Sequence, residues 1–448
     1  MSTAQSFEAV ILEEPTFREQ NAEKRPPTGV NEKVAIQPGD SVLDPPPDGG
    51  TRAWLCVLGC HLALFSTFGT VNSYGVFQEY YGTNLLASTS TSVISLIGAL
   101  QLFFLYGLGP IAGPIFDAHG SAVLLPVGSF FVILSMMMWS ICQENKVYQF
   151  FLSQGVLFRI GISMVFNPAL AVMAHWFRHR RAFAIGICAS GSSLGGVVYP
   201  VMLQRLIPAI GFGWAVRVTV FVNLACLTVS CITIRGRLPH KRHIAWTSLV
   251  DLDGFRDLKY TLTAIGSFLT LYAFHIPFFY IQVYATYEGV PTRLVKYLLP
   301  IMNIASFPSR VLPDMVADRF GVLNVLVPCT ILSGIFSLSI WLPSRGAIPI
   351  TIFSALYGLG SGASATLLPA YIATITPMEV YGARVGSINM IAAVAALVGM
   401  PTAGSFVNVV GQHDFDGLII FTGVMILAGG VTIGAAHVVQ TRNLFAKV

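Results

Sequence analysis

Two short segments, GPIFDAHG at residues 113–120 and DMVADRFG at residues 314–321, decide the fold of this 448-residue chain. Each follows a long apolar run. The aspartate and the glycine of the first segment, Asp117 and Gly120, recur 201 positions later as Asp318 and Gly321. A repeat in equivalent turns indicates two related halves. Parallel halves around a central site are typical of transporters that work by alternating access.

The composition places the chain in a membrane. Apolar residues make up 54% of it and charged residues only 10%, against about 25% charged residues in soluble domains. Such a chain cannot cover itself with a polar surface, so we expect a lipid bilayer around it. The net charge is +5, and most basic residues lie in short connections between apolar runs. Basic residues at such places set the orientation of a membrane protein, so we do not expect nucleic acid as a partner.

Twelve apolar runs are long enough to cross a bilayer, which needs about 20 helical residues. They are too long for barrel strands and show no alternation, so they predict an all-α membrane protein with twelve transmembrane helices. The predicted spans are 53–80, 91–115, 121–142, 147–174, 182–204, 212–234, 260–287, 294–313, 322–343, 347–376, 385–410 and 417–439.

The predicted organisation has five parts. A disordered cytosolic tail, residues 1–52, precedes a six-helix half at 53–234; a cytosolic central loop at 235–259 precedes a second six-helix half at 260–440 and a cytosolic tail at 441–448. The first part is polar and lacks the pattern of a signal peptide. Lysine and arginine are denser in the loops that share a side with both termini, which predicts that both termini are cytosolic.

Several motifs resemble known families. The two opening segments resemble the signature loop of the major facilitator superfamily, although Ala118 stands where that loop usually has a basic residue. DGG at 48–50 with Trp54, and WFRHRRAFAIG at 176–186, are similar to hallmarks of the monocarboxylate porter family. NPAL at 167–170 and the segments at 362–369, 379–386 and 399–404 are similar to its fungal branch. The resemblance covers roughly 45–440 and implies the major facilitator fold.

The duplicated turns are candidate gates. An aspartate there can accept hydrogen bonds from the next helix or pair with a nearby arginine, and thereby lock a loop in one transport state. Simple helix capping explains the same residues equally well. The candidate gating residues are Asp117, Gly120, Asp318, Arg319 and Gly321.

Arg159 is a charged residue near the middle of the fourth predicted span. Reaching water from there would take about 15 Å at 1.5 Å per residue, so Arg159 must face a cavity or a partner. The resemblance implies that the fourth helix lines a central cavity. We therefore predict that Arg159 binds an anionic or carbonyl-rich solute through its planar donor fork; the alternative is an internal hydrogen-bonding role.

Other candidate solute-binding residues follow from the resemblance. Arg310 matches a substrate-binding arginine of the family, although at about one turn from the predicted helix end it could instead pair with Asp314. The family lysine of the first span falls at Asn72, so lactate-type substrates are not expected. Asn72 and Tyr74 suit hydroxyl, carbonyl or amide groups better than a bare carboxylate.

His275 is the predicted proton-coupling residue, because no carboxylate maps to the middle of a span. Pro277, two residues later, is predicted to bend the seventh helix by removing a backbone donor. The alternative role of His275 is that of a hydrogen-bonded core histidine.

These features predict a secondary transporter that moves an organic solute, a carboxylate or a larger specialised metabolite, by symport or facilitated diffusion. The alternatives are a drug or toxin efflux carrier and a solute sensor that does not transport. No nucleophile–base set or metal-ligand spacing is visible in the sequence, so we predict no enzyme activity, no cofactor and no metal. We expect a monomer in the plasma membrane rather than the vacuole, with the solute, a proton and lipid as its partners.

Overall fold

The computed structural model describes residues 47–177, 180–237, 253–376, 381–407 and 415–441, and every regular element within these ranges is helical. Among the described residues, eleven helical runs are long and apolar enough to cross a membrane. The predicted eighth span corresponds to an interrupted helical run made of Thr292–Ser306, Pro308–Arg310 and Leu312–Phe320, which we call span 8. In chain order the others, spans 1–7 and 9–12, are Thr51–Leu85, Thr91–Ala112, Ser121–Trp139, Val147–Ala171, Phe183–Ile210, Phe212–Thr233, Leu258–Tyr287, Val322–Trp341, Ala347–Ile372, Arg384–Val407 and Phe415–Gln440.

The predicted all-helical fold is confirmed for the described residues. Eleven of their helical runs meet the length and composition needed to cross a membrane, and span 8 lies where the remaining crossing was predicted. Large apolar side chains such as Phe130, Ile232 and Ile348 are more than half exposed, as expected where lipid rather than water is the solvent. Most of the predicted N-terminal tail lies outside the described residues, as do the central loop over 238–252 and the C-terminal tail from 442 onward.

Span 8 differs most from its predicted range of 294–313, because its helix resumes after two prolines. Pro308 and Pro313 each sit in the first turn of the helical segment that follows, where a missing N–H leaves no hydrogen bond unmade. The prolines therefore interrupt the span without ending it, and Phe320 closes it ten residues beyond Arg310. The predicted end of this span at residue 313 was therefore wrong, because the last helical segment runs to Phe320; the distance of Arg310 from the cytosolic side stays a prediction.

Spans 1 and 7 are interrupted at comparable positions. In span 1 the helix breaks at Ser73, whose hydroxyl donates to the Gly69 carbonyl at 2.8 Å, a back-bond that bends helices. In span 7 the helix breaks at His275, and Pro277 lies in the first turn of the next segment. The predicted bend of the seventh helix is confirmed.

Span 5 packs closely on both sides through glycines. A Cβ atom added at Gly195 would lie 2.7 Å from the Cα atom of Gly69 in span 1, and one at Gly191 would collide with the His61 carbonyl. Gly196 faces the side chain of Asn303 in span 8 instead. The glycines therefore let span 5 approach span 1 of its own half and span 8 of the other half, as their helical spacing predicts.

The two halves touch at the predicted outer end of the bundle. The rings of Tyr74 in span 1 and Phe279 in span 7 pack with their centroids 4.7 Å apart. The Ser95 hydroxyl of span 2 donates to the Met400 carbonyl of span 11 at 3.3 Å. These contacts join the two halves at this end, which we call the closed outer end.

The duplicated turns share one geometry. Gly120 both ends one helix and precedes the next, with φ 72° and ψ 179°, and Gly321 does the same with φ 98° and ψ 145°. This region of backbone space is essentially restricted to glycine. The sequence repeat therefore corresponds to a structural repeat.

The DGG segment and the segment at 176–186 meet in the structure. The Asp48 backbone N–H donates to the Trp176 carbonyl at 3.0 Å, and the Arg180 backbone N–H donates to an Asp48 carboxylate oxygen at 3.5 Å. The Trp54 ring packs edge-on against Phe177, with centroids 5.4 Å apart. These contacts fasten the start of span 1 to the connection between spans 4 and 5.

Candidate functional site

Arg159 is fully buried in span 4, just after a π-helical turn at Phe151–Leu157. Its Nη2 atom donates to the Gln101 Oε1 atom at 2.9 Å, while Nε and Nη1 have no partner among the described groups. A buried cation with unpaired donors is costly. Arg159 therefore combines an internal hydrogen bond with donors that a ligand could use.

Arg310 approaches the same region from span 8. It lies in the turn between the two segments of the span, and its Nη1 atom donates to the Ser192 hydroxyl of span 5 at 2.5 Å. Its Nε atom has no partner in the described part of the chain. The alternative partner, Asp314, has a side chain outside the described set.

Tyr106 of span 2 lies within electrostatic range of both Arg159 and Arg310. Among the described side chains neither guanidinium forms a salt bridge. The site thus presents two cations, one from each half, with a neutral phenol in range of both, and it suits a solute that brings negative charge or strong acceptor oxygens.

Asn72 belongs to an amide and hydroxyl network beside this site. Its Nδ2 atom lies 3.2 Å from both the Ser192 carbonyl and the Asn303 Oδ1 atom, so it joins spans 1, 5 and 8. Ser193 and Ser306 add a hydroxyl contact of 2.9 Å between spans 5 and 8. The network holds the halves together next to Arg310.

Tyr74 takes a different place from the other predicted site residues. Its hydroxyl donates to the Ile94 carbonyl at 2.6 Å, and its side chain is buried. With its hydroxyl occupied and its ring against Phe279, Tyr74 contributes to the closed outer end; its contact with solute remains a prediction.

His275 lies at the break in span 7, near the arginine pair. Arg159 interacts with it electrostatically, and its Nδ1 atom is buried without a partner among the described groups. The ring packs beside Phe274 and Phe279. The alternative role of His275 is that of a hydrogen-bonded core histidine, and the described structure shows no hydrogen bond at Nδ1 in support of it.

The candidate gating residues lie at or near the ends of helices. Asp117 and Asp318 fall in the segments Gly109–His119 and Leu312–Phe320, with side chains outside the described set. The Arg319 side chain is exposed. Gly120 and Gly321 form the one-residue joints described above.

Sequence reasoning missed three residues of the site. Gln101 and Asn303 are buried carboxamides within spans, and a search for amides as well as charges would have found them. Tyr106 gave no such signal, because a tyrosine in an apolar helix is usually a packing residue.

Comparison with known proteins identifies the chain. Residues 54–314 match the sequence model of the Major Facilitator Superfamily. The chain belongs to this superfamily. It is 38% identical over 398 residues to the MFS transporter asaE of Aspergillus flavus, covering 89% of each chain. It is 37% identical over 413 residues to the aspyridones efflux protein apdF of Emericella nidulans, covering 92% of this chain and 82% of that one.

A further relative is the fujikurins efflux protein of Gibberella fujikuroi, 35% identical over 407 residues, covering 90% of this chain and 86% of the relative. As a major facilitator protein, the chain is a multi-pass membrane transporter, which confirms the predicted function of moving an organic solute across a membrane. Arg159 belongs to the first six spans of this carrier and Arg310 to the last six, so the candidate site draws on both halves.

Proposed function

We propose that this carrier exports a specialised metabolite of its own cell, and that the metabolite bears an acidic or carbonyl oxygen group. The observation that supports this best is the pair of arginines, one from each half, with unpaired donors in the region of Tyr106. Two relatives are named as efflux proteins for aspyridones and fujikurins, which favours export.

Arg159 and Arg310 would hold the oxygen group of the solute from opposite halves. Asn72 would accept a hydrogen bond from a solute hydroxyl or amide through its Oδ1 atom, because its Nδ2 atom already contacts Ser192 and Asn303. A guanidinium suits this task because its N–H groups lie in one plane and can bind two oxygens at once. Since the arginines belong to different halves, a solute that contacts both would couple its own binding to the movement of the halves.

The remaining predictions refine this proposal. His275, with its unpaired Nδ1 atom, would carry a coupled proton. Asp117, Asp318 and Arg319 would gate the predicted cytosolic end. The motifs at 48–50 and 176–186 favour the fungal branch of the monocarboxylate porters. We further propose a monomer without catalytic activity in the plasma membrane, where an exporter meets the outside of the cell.

The deciding experiment compares metabolites in cells with and without the protein. Deletion should raise the intracellular amount of one oxygen-rich metabolite and lower it in the medium. The full-length protein in proteoliposomes should then move that compound and lose this flux when Arg159 or Arg310 is replaced by Gln. Unchanged metabolite distributions would contradict export, and ligand binding without flux would indicate a sensor instead of a carrier.

A further inference from the structure

A cavity with polar lining residues lies at the predicted outer end, between spans 5 and 8. It has a volume of about 320 Å³. Its lining includes three cations, Arg205 from span 5 and Arg293 and Lys296 from span 8, together with Gln204. The cavity therefore has walls from both halves of the carrier and is distinct from the arginine pair at the centre.

The cations of this cavity differ from two other cations of the predicted outer side. Arg217 donates to the Ser140 hydroxyl at 3.2 Å and lies over the Trp214 ring. Arg345 forms a salt bridge with Asp416 at 3.1 Å. Those two arginines have structural partners, which accounts for their presence on a side where basic residues are disfavoured.

Arg205, Arg293 and Lys296 form no salt bridge with any described carboxylate. Lys296 alone interacts, electrostatically, with Glu79 of span 1. Three cations and one carboxylate leave a positive excess in one concave site, and like charges placed together repel. All three side chains are exposed, and a bound anion would offset their mutual repulsion.

Gln204 supplies an independent observation. Its Nε2 atom is buried and has no acceptor within the described part of the chain. Unpaired buried donors are rare, since each one loses its hydrogen bonds to water without replacement. An oxygen of a ligand in the cavity would satisfy this donor and neutralise the cations together.

We propose that this cavity is a second anion site, which takes a carboxylate or phosphate group from the outer side. Because Arg205 and the pair Arg293 and Lys296 belong to opposite halves, an anion between them stabilises the closed outer end. An anion that accumulates outside would then slow the return of the carrier to its outward-open state. The site would regulate the carrier, and it extends beyond the solute site proposed above.

The test measures anion binding by the purified full-length protein in neutral detergent, at constant ionic strength. Inorganic phosphate and succinate are the probes, and the midpoint of thermal unfolding is the readout. Both should raise the midpoint of the wild-type protein in a saturable manner. The double variant Arg205→Gln/Arg293→Gln should bind at least tenfold more weakly, whereas Arg205→Lys/Arg293→Lys should keep most of the effect.

The matched control is Lys146→Gln/Arg217→Gln, which removes two cations of the predicted outer side that do not line the cavity. It should bind phosphate as the wild type does. Equal affinities for all variants, or an effect that only follows ionic strength, would overturn the proposal. Because this test measures anion binding and not transport, a negative result would not contradict the proposed export. In the same way, a protein that does not export a metabolite could still bind anions in this cavity.

Two further arms identify the source of the anion and its effect. In nanodiscs without phosphate, phosphatidylglycerol should raise the unfolding midpoint of the wild type more than that of Arg205→Gln/Arg293→Gln only if lipid headgroups enter the cavity. An equal rise in both proteins would assign the site to soluble anions. In proteoliposomes, phosphate on the outer side should slow export by the wild type and not by the double variant. If outer phosphate left export by the wild type unchanged, as in the double variant, the proposed regulatory role of the site would be overturned.

Discussion

Replacing Arg159 by lysine tests whether the buried guanidinium binds solute. The change keeps the positive charge and most of the side-chain length, but it removes the planar fork that can contact two oxygens at once. If the Nε and Nη1 atoms, which lack partners among the described groups, hold the solute, the lysine should weaken solute binding.

The magnitude follows from the number of bonds at risk. The Nη2 atom of Arg159 donates to Gln101, and its other two nitrogens, Nε and Nη1, have no partner among the described groups. A hydrogen bond that involves a charged group contributes about 1.5–3 kcal/mol. An ammonium group can replace one of the two solute bonds but not both, so we expect a loss of about 1.5–3 kcal/mol, or about 10- to 150-fold in affinity.

The assay measures flux in proteoliposomes and gives the solute concentration at half-maximal flux. The solute is the compound that accumulates inside cells from which the protein has been deleted. Surface expression and the unfolding midpoint of each variant show whether the protein folds. Arg217→Lys is the matched control, because it makes the same chemical change at a guanidinium that contacts Ser140 and Trp214 instead of the central site. Its affinity for solute should stay within about twofold of the wild type, as expected for a distant and independent site.

An Arg159→Lys protein that folds normally and transports with unchanged half-saturation would refute the reasoning. In that case the hydrogen bond to Gln101 is the whole role of Arg159, and the internal alternative stated from the sequence is correct. The same loss in Arg217→Lys would refute it as well, since the effect would then be general.

Three further changes test other parts of the structure. Gly195→Ala should lower stability by about 1–3 kcal/mol, because its Cβ would press on the Phe65 carbonyl, whereas Gly82→Ala, with nothing within 4 Å, should have little effect on the thermal unfolding midpoint. His275→Gln should remove the dependence of flux on a proton gradient while flux down a solute gradient persists; a gradient response equal to the wild type would exclude His275 as the coupling residue. Arg345→Gln breaks a salt bridge to Asp416 in which both side chains are about half exposed, so denaturant unfolding should show a change of at most about 1 kcal/mol; a larger loss would mean that the more buried contact of Arg345 with Glu288 fastens the outer loops.

Much of the fold was predictable because its signals are local. A run of about 20 apolar residues is stable in lipid as a helix, and Pro277 removes a backbone donor from the middle of such a run. Span 8 was predicted less well because Pro308 and Pro313 are compatible with either a helix end or a break. Only packing in three dimensions shows that the helix continues to Phe320.

The candidate site was predictable only in part, for a related reason. Arg159 stands out because a charge in the middle of an apolar span needs a partner, whereas the partner itself, Gln101, lies 58 residues away in the chain. The proximity of Arg310 and Tyr106 depends on how spans 2, 4 and 8 converge. Sequence spacing carries no information about such contacts between distant helices.

The glycine joints at Gly120 and Gly321 bear on the engineering of this transporter. Both adopt a backbone shape that other residues reach only at a cost of about 1–3 kcal/mol. Because the two joints are alike, they offer natural cut points for chimeras in which the hairpin of one half is grafted onto the other. Grafts that retain these two glycines should fold, whereas libraries that randomise them will consist mostly of misassembled proteins.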